Sequence, residues 1–243
     1  MIDFKYAKAH LPELDQIIAS YDIRDEFLCA AYAPMMKDIN QRITDYDSNG
    51  AKYGHQLRGH LQRISDMGQK MLNYLDYPEH VGANFHHAYG LSDMGKLHPD
   101  YDPAIWSLPH RPTEDERAQK RLHMQRGLDV LRDALDRHHA PDWLRTHPHT
   151  QITIPCLMLF HHEKLTGDGR FKRTAGDLGI IMRVACIVDA YDGDRIQRGH
   201  QDSKRTPLET IERMIAPNND DKYHGHFDLT LLQKFADMIK HDL

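Results

Sequence analysis

The run His161-His162-Glu163-Lys164-Leu165-Thr166-Gly167-Asp168-Gly169-Arg170-Phe171 gathers the side chains best suited to chemistry in this sequence. Two adjacent imidazoles and a carboxylate follow an apolar segment, Ile152 to Phe160, that reads as a buried helix ending at the histidines. They lead into a loop with glycines at 167 and 169. Neighbouring side chains on one helical turn point about 100° apart, so His161 and His162 suit a dinuclear metal site better than a single ion. Imidazole nitrogen suits Zn, Fe, Ni or Cu, and carboxylates beside it allow Fe or Mn. The glycines permit positive φ and a close approach of backbone to a ligand. A surface His-His pair opening a turn would look the same, and in a chain with 19 histidines that reading wins for an isolated pair. The other histidines and aspartates, at ordered distances, tip the balance toward chemistry.

His60 lies four residues before Ile64, with Met67 and Met71 continuing that face, so it points at the core either as a satisfied buried histidine or as a ligand. His123 shares a face with Gly127, Val130, Leu131 and Ala134 and carries the same two readings. Asp93 and Lys96 are three apart, which puts both on one side of a helical turn. Asp93 could ligate or bridge metals while Lys96 faces a phosphate; on its own, such a pair is usually a solvated surface pair. Asp189 closes the apolar segment Ile180 to Val188, an expensive place for a carboxylate unless it is paired or metal-bound, and Asp192 is a candidate cap or acceptor behind it. Arg195 and Arg198 could grip phosphate oxygens or belong to a solvated basic loop.

The elements that must position these residues read as helices. Residues 1 to 50 form a helical lead-in for packing or dimerisation, with Leu14, Ile17, Ile18, Phe27, Leu28, Ala31 and Met35 at helical spacing. Asp45 to Gly50 is a turn cluster and the expected boundary to a second region, 51–243. Helices are then expected from Tyr53 to Leu75, from Glu79 to Gly90, and from the capping box at Thr113 to about His138. The last two open at Thr206-Pro207 and Phe227-Asp228. The segment 97–112 holds four prolines and is expected to be an irregular loop able to lie over a site. His138, His139, His147 and His149 fall in a polar loop and are expected to be exposed.

At 243 residues the chain is long enough for a sizeable core. A formal charge of -5 argues against a nucleic-acid polymer or a membrane surface as partner. Cys29, Cys156 and Cys186 are far apart, odd in number and set among apolar residues, so they read as buried thiols in a reducing compartment. No apolar run approaches 18 residues and no signal pattern opens the chain, which predicts a cytoplasmic, soluble protein.

Taken in order, His60-Leu61-Gln62-Arg63, Asp93-Met94-Gly95-Lys96, His123 with Gly127, His161-His162-Glu163 with Gly167 and Gly169, Arg183 to Asp192, Thr206-Pro207-Leu208-Glu209 and Phe227-Asp228 resemble the HD superfamily of metal-dependent phosphohydrolases. The resemblance is closest to the HD-GYP branch, the bacterial cyclic di-GMP phosphodiesterases, and spans roughly residues 51 to 240. It implies an all-α HD-domain helical bundle carrying a helical N-terminal extension. It further implies two divalent ions, Fe or Mn in preference to Zn. His60, Asp93 and Asp189 would hold one ion, and His123, His161 and His162 the other, with Asp93 bridging. A hydroxide between the ions would attack the phosphorus, while Lys96, Arg195 and Arg198 would neutralise the phosphoryl oxygens.

Three departures stand out. The family's His-Asp doublet is Ser92-Asp93, its Tyr-Pro after the glycines is Arg170-Phe171, and the glutamate used for a third metal is Gln56. Losing the imidazole at Ser92 leaves the first site weak or empty, unless His86 or His87 swings in. The functional expectation is a metal-dependent phosphodiesterase acting on a cyclic dinucleotide, a nucleoside phosphate or another phosphoester. The alternative is a catalytically silent domain that binds metal or nucleotide and acts through protein contacts.

Overall fold

The computed structural model describes residues 2–50, 56–106, 108, 110–196, 203–216 and 223–241. Among these residues every regular element is helical, and the one β-type contact is an isolated bridge between Thr166 and Thr174. None of their helices is long and apolar enough to cross a membrane.

The N-terminal stretch forms α1 (Phe4–His10), α2 (Leu14–Ile18) and α3 (Glu26–Gly50). Its apolar spacing does what helical periodicity demands: Leu14, Ile18, Leu28, Tyr32, Met35, Ile39 and Ile43 are buried. The expected turn at 45–50 is instead the last turn of α3. There the polar side chains bond back along the helix, Ser48 to the Thr44 carbonyl and Asn49 to the Asp45 carbonyl. Asp47 accepts the amides of Leu57 (2.6 Å) and Arg58 (3.1 Å) and so caps the following helix, α4 (Leu57–Tyr74).

Helix α4 ends where Asp76 takes a positive φ of 61°, and α5 (Glu79–Tyr89) returns against it. The two approach closely because Gly68 has no side chain: a Cβ there would lie 2.1 Å from the Phe85 ring. After a short turn, Met94–Leu97, and an irregular segment, Thr113 opens α6 (Glu114–Lys120) with the expected capping box. The single helix expected from Thr113 to His138 is broken at Arg121, and α7 (Leu122–Arg137) follows. The Lys120 carbonyl accounts for the break, because it accepts from Tyr101 Oη and His123 Nδ1.

Helix α8 (Asp142–Thr146) and a π-type turn, His149–Thr153, lead to α9 (Ile154–Phe160), every residue of which is buried. Its neighbour α10 (Ile180–Arg195) begins at two amides, those of Ile180 and Ile181, that are capped by the Asp15 carboxylate at 2.7 and 3.1 Å. Helices α11 (Pro207–Ile215) and α12 (Leu229–His241) complete the bundle. The capping box at Thr206 and the Asp228 side chain on the Leu231 amide start them as expected. Of the cysteines, Cys156 and Cys186 are buried, but Cys29 is exposed, on the outer face of α3. Of its apolar neighbours in sequence, Leu28 is buried, while Phe27 and Ala30 are exposed like Cys29 itself.

Candidate metal centre

Asp93 follows the end of α5 and opens the turn Met94–Leu97, which lies flat against α7. The contact is so close that a Cβ on Gly95 would sit 1.8 Å from the His123 carbonyl oxygen, so only glycine fits. Asp93 thereby reaches His123, with 3.0 Å between Oδ1 and Nε2, and His161, with 3.6 Å between Oδ1 and Nε2. Its other oxygen lies 3.2 Å from His60 Nε2 and is ion-paired to Lys96. Both members of the Asp93–Lys96 pair are buried, so it is no surface pair. Asp189, on α10, lies 3.5 Å from His60 Nε2 and 3.0 Å from His162 Nδ1.

Three of the imidazoles are oriented from behind. His123 Nδ1 bonds the Lys120 carbonyl at 2.6 Å, and His161 Nδ1 bonds the Leu157 carbonyl at 2.8 Å. His60 Nδ1 bonds Asp192 at 2.7 Å, and that carboxylate is itself held by Arg63. In each case the outer hydrogen bond turns Nε2 inward toward Asp93, the orientation usual for metal-bound histidine. The adjacent pair lies together at the end of α9, with ring centroids 4.1 Å apart. His161 reaches in with Nε2 and His162 with Nδ1.

Asp93, His123, His161 and His162 offer donor atoms that all lie within 4.8 Å of one another, a set that could hold a metal ion. The structure carries its own test of that fit. Asp93 Oδ1, His123 Nε2 and His161 Nε2 are buried, close together and without a hydrogen-bond partner. A buried polar atom left so costs about 1–3 kcal/mol, and lone pairs facing a carboxylate oxygen repel it. A cation between them removes both penalties. Donors that share one ion are about 3 to 4 Å apart, since each lies about 2 Å from it, and Asp93 Oδ1 lies 3.0 Å from His123 Nε2 and 3.6 Å from His161 Nε2.

The charge states follow. Burial opposes ionisation of Asp93, but Lys96 and His123 outweigh it and hold the carboxyl well below the usual range. Burial likewise disfavours charge on Asp189, yet His162, His161 and His60 bring it down. Burial lowers His123 and brings His162 to about 4, leaving neutral imidazoles. For His60 burial is again the largest influence, but the Asp192 and Asp93 carboxylates reverse it and raise the group to about 9.

The cluster opens on one side. His162 and Asp189, the more exposed members, face a cavity of about 330 Å³ that is also lined by Trp106, Arg117, Lys120, Arg121, Lys164 and Phe227. Lys96 lines a separate hollow behind Asp93 with Tyr46 and Tyr101, and its ammonium lies over the Trp106 ring. Arg195 is not among the cavity-lining residues; its guanidinium rests over Tyr191, while Arg198 lies outside the described residues. Ser92 is buried and bonds the Tyr89 carbonyl. Neither nearby histidine replaces the imidazole missing at Ser92, because His86 bonds Asp66 and His87 bonds His149.

Two features escaped the sequence reading. Glu163 accepts the amides of Phe171 and Arg173, and Gly169 is pressed against its carboxylate, so these residues shape the loop. Of the two glycines, Gly167 is the one with positive φ, at 79°. His149, expected to be exposed, is fully buried in a second histidine cluster with His87, Tyr21, Tyr32, Thr150 and Thr153.

The all-helical bundle has a counterpart among solved structures. The chain is similar to Bd1817, a HDG"Y"P protein from Bdellovibrio bacteriovorus, with a TM-score of 0.56 over 96% of this chain and 70% of that chain, at 12% identity. No protein-family model matches the chain, and no curated protein matches it either. The fold is therefore that of an HD-GYP-type helical domain, as the sequence resemblance implied.

Proposed function

We propose that the chain is a metal-dependent phosphohydrolase acting on a cyclic dinucleotide or a related phosphoester. The observation that carries this reading is the set of buried, partnerless donor atoms, Asp93 Oδ1, His123 Nε2 and His161 Nε2, within an HD-GYP-type bundle. In this reading His123, His161 and His162 hold one ion, His60 and Asp189 hold a second, and Asp93 bridges them. Divalent ions bound there would lower the pKa of an attacking water and offset charge on the phosphoryl oxygens. The mixed imidazole and carboxylate donors suit Fe or Mn better than Zn.

The chain's own residues define the rest. Lys96 and His123 keep Asp93 ionised, Asp192 orients His60, and substrate approaches from the cavity side, past His162 and Asp189. The test is turnover of bis(p-nitrophenyl) phosphate with added Mn²⁺ or Fe²⁺, together with metal content per chain. The expected result is turnover that His162→Ala abolishes. A second reading, a silent metal-binding domain, is favoured by one observation: Ser92 contributes no donor to the cluster and no neighbouring histidine takes its place. Metal binding without turnover in the wild type would establish that reading instead.

A further inference from the structure

The outer face of α3 offers apolar surface that the rest of the described chain leaves uncovered. Its inner face, with Leu28, Tyr32, Met35, Ile39 and Ile43, belongs to the core. On the outside, Glu26, Ala30, Ala33 and Lys37 recur at steps of four, three and four, the seam of a helix that packs along another helix. All four are exposed. Beside the seam stands Phe27, 69% exposed, more than any other large apolar side chain among the described residues. It stacks on Trp143 of α8, with ring centroids 4.9 Å apart, and Trp143 is itself 38% exposed. Pro34, two turns after Phe27 on the same flank, is exposed as well. Apolar residues scattered singly over a surface need no explanation, but an aromatic pair beside an uncovered helix seam marks a contact site.

The charges at the two ends of the seam say what covers it. Neither Glu26 nor Lys37 makes an ion pair among the described residues. The midpoint between Glu26 and Lys37 is also the midpoint between Ala30 and Ala33. A second α3 laid across the first in the antiparallel sense therefore sets each Glu26 opposite Lys37 of the other copy. Ala30 then faces Ala33, where short side chains let the backbones approach, and each Phe27 comes beside the other copy's Pro34. A face that complements itself under a two-fold rotation is what an isologous dimer requires.

We infer that α3 is the interface of a homodimer, in which two copies of the helix cross antiparallel between Ala30 and Ala33. No residue of α3 lines the cavity over the metal cluster, so pairing leaves that cavity open in each copy. One helix pair with aromatic flanks is a small interface, and the dimer is expected to dissociate in about the micromolar range. The test is sedimentation velocity of the full chain from about 1 to about 200 µM, a span that brackets such an affinity, with far-UV circular dichroism to show that each variant keeps its helices. The mass is expected to rise from 28.3 kDa toward twice that value. Ala30→Arg, at an exposed position where folding is not at stake, is expected to hold the protein monomeric. Glu26→Lys and Lys37→Glu each set like charges opposite one another and are expected to weaken the dimer about tenfold. Combining the two exchanges restores opposite charges and is expected to bring dimerisation back to within about threefold of the wild type. Lys240→Glu, on α12, is expected to change nothing. A wild type that stays monomeric across the range overturns the second copy as occupant. A dimer indifferent to Ala30→Arg overturns α3 as the interface, and a double exchange no tighter than the single ones overturns the antiparallel register.

Discussion

The described residues hold two buried histidine clusters, and they are built on opposite principles. In the first, His60, His123, His161 and His162 converge on Asp93 and Asp189, and inward-facing donor atoms are left without partners. In the second, His87 Nδ1 lies 2.8 Å from His149 Nε2, His149 Nδ1 lies 2.8 Å from Tyr21 Oη, and Tyr21 donates to Thr153 at 2.8 Å. Each ring nitrogen of His149 has a neutral partner, no carboxylate is bonded to the chain of groups, and nothing in it calls for a cation. Imidazoles alone do not make a metal centre; the anions between them and the hydrogen bonds behind them do. Burial acts in both places, and only in the first do carboxylates counter it.

The contrast can be broken most sharply at Asp93. Asp93→Asn keeps the shape but removes the charge shared by the donors, and Mn²⁺ binding measured by calorimetry should fall below detection. Retained binding would mean that the anions are not what distinguishes the clusters.

The next effect is one of pH. Burial, with a smaller contribution from His86, lowers His87 from the ordinary 6.5 to about 4, and His149 moves in the same direction. Below pH 6.5 the unfolded chain takes up protons that the folded chain refuses. Stability is therefore complete above pH 6.5 and declines as the pH falls toward 4, by up to about 3 kcal/mol for His87. Urea unfolding at pH 7 and pH 4.5 should show this decline in the wild type and a shallower one in His87→Gln. Equal slopes would show that this imidazole is not held neutral.

A smaller change is expected at Asp192, which touches the first cluster only through His60 Nδ1. Asp192→Asn should weaken Mn²⁺ binding about 10- to 100-fold, the range usual for a group that orients a ligand from outside. No change would place His60 outside the metal-holding set.

Legibility from sequence followed the range of the interactions. Helices whose apolar residues recur locally, such as α4 and α10, and caps built from neighbours, such as those at Thr113 and Thr206, could be read directly. What failed depended on partners far along the chain or on backbone atoms. The break at Arg121 needs Tyr101, 19 residues before Lys120, to reach that residue's carbonyl. His149 sits beside Pro148 and polar residues, and only Tyr21, between α2 and α3, and Tyr32, on α3, reveal its burial. Within the site, the residue types that converge were visible as candidates. The carbonyls of Lys120 and Leu157 that aim two of the histidines are main-chain atoms and leave no mark in the sequence.

Asp15 gives the N-terminal helices a bearing on the chemistry. Its carboxylate sits where a Cβ on Gly179 would come within 2.6 Å, tying down the first turn of the helix that carries Asp189 and Asp192. A protein trimmed at residue 50 would lose the clasp that sets where that rod begins. Both acids, in the third and fourth turns of the screw, would then inherit whatever tilt or fraying its loose start allowed.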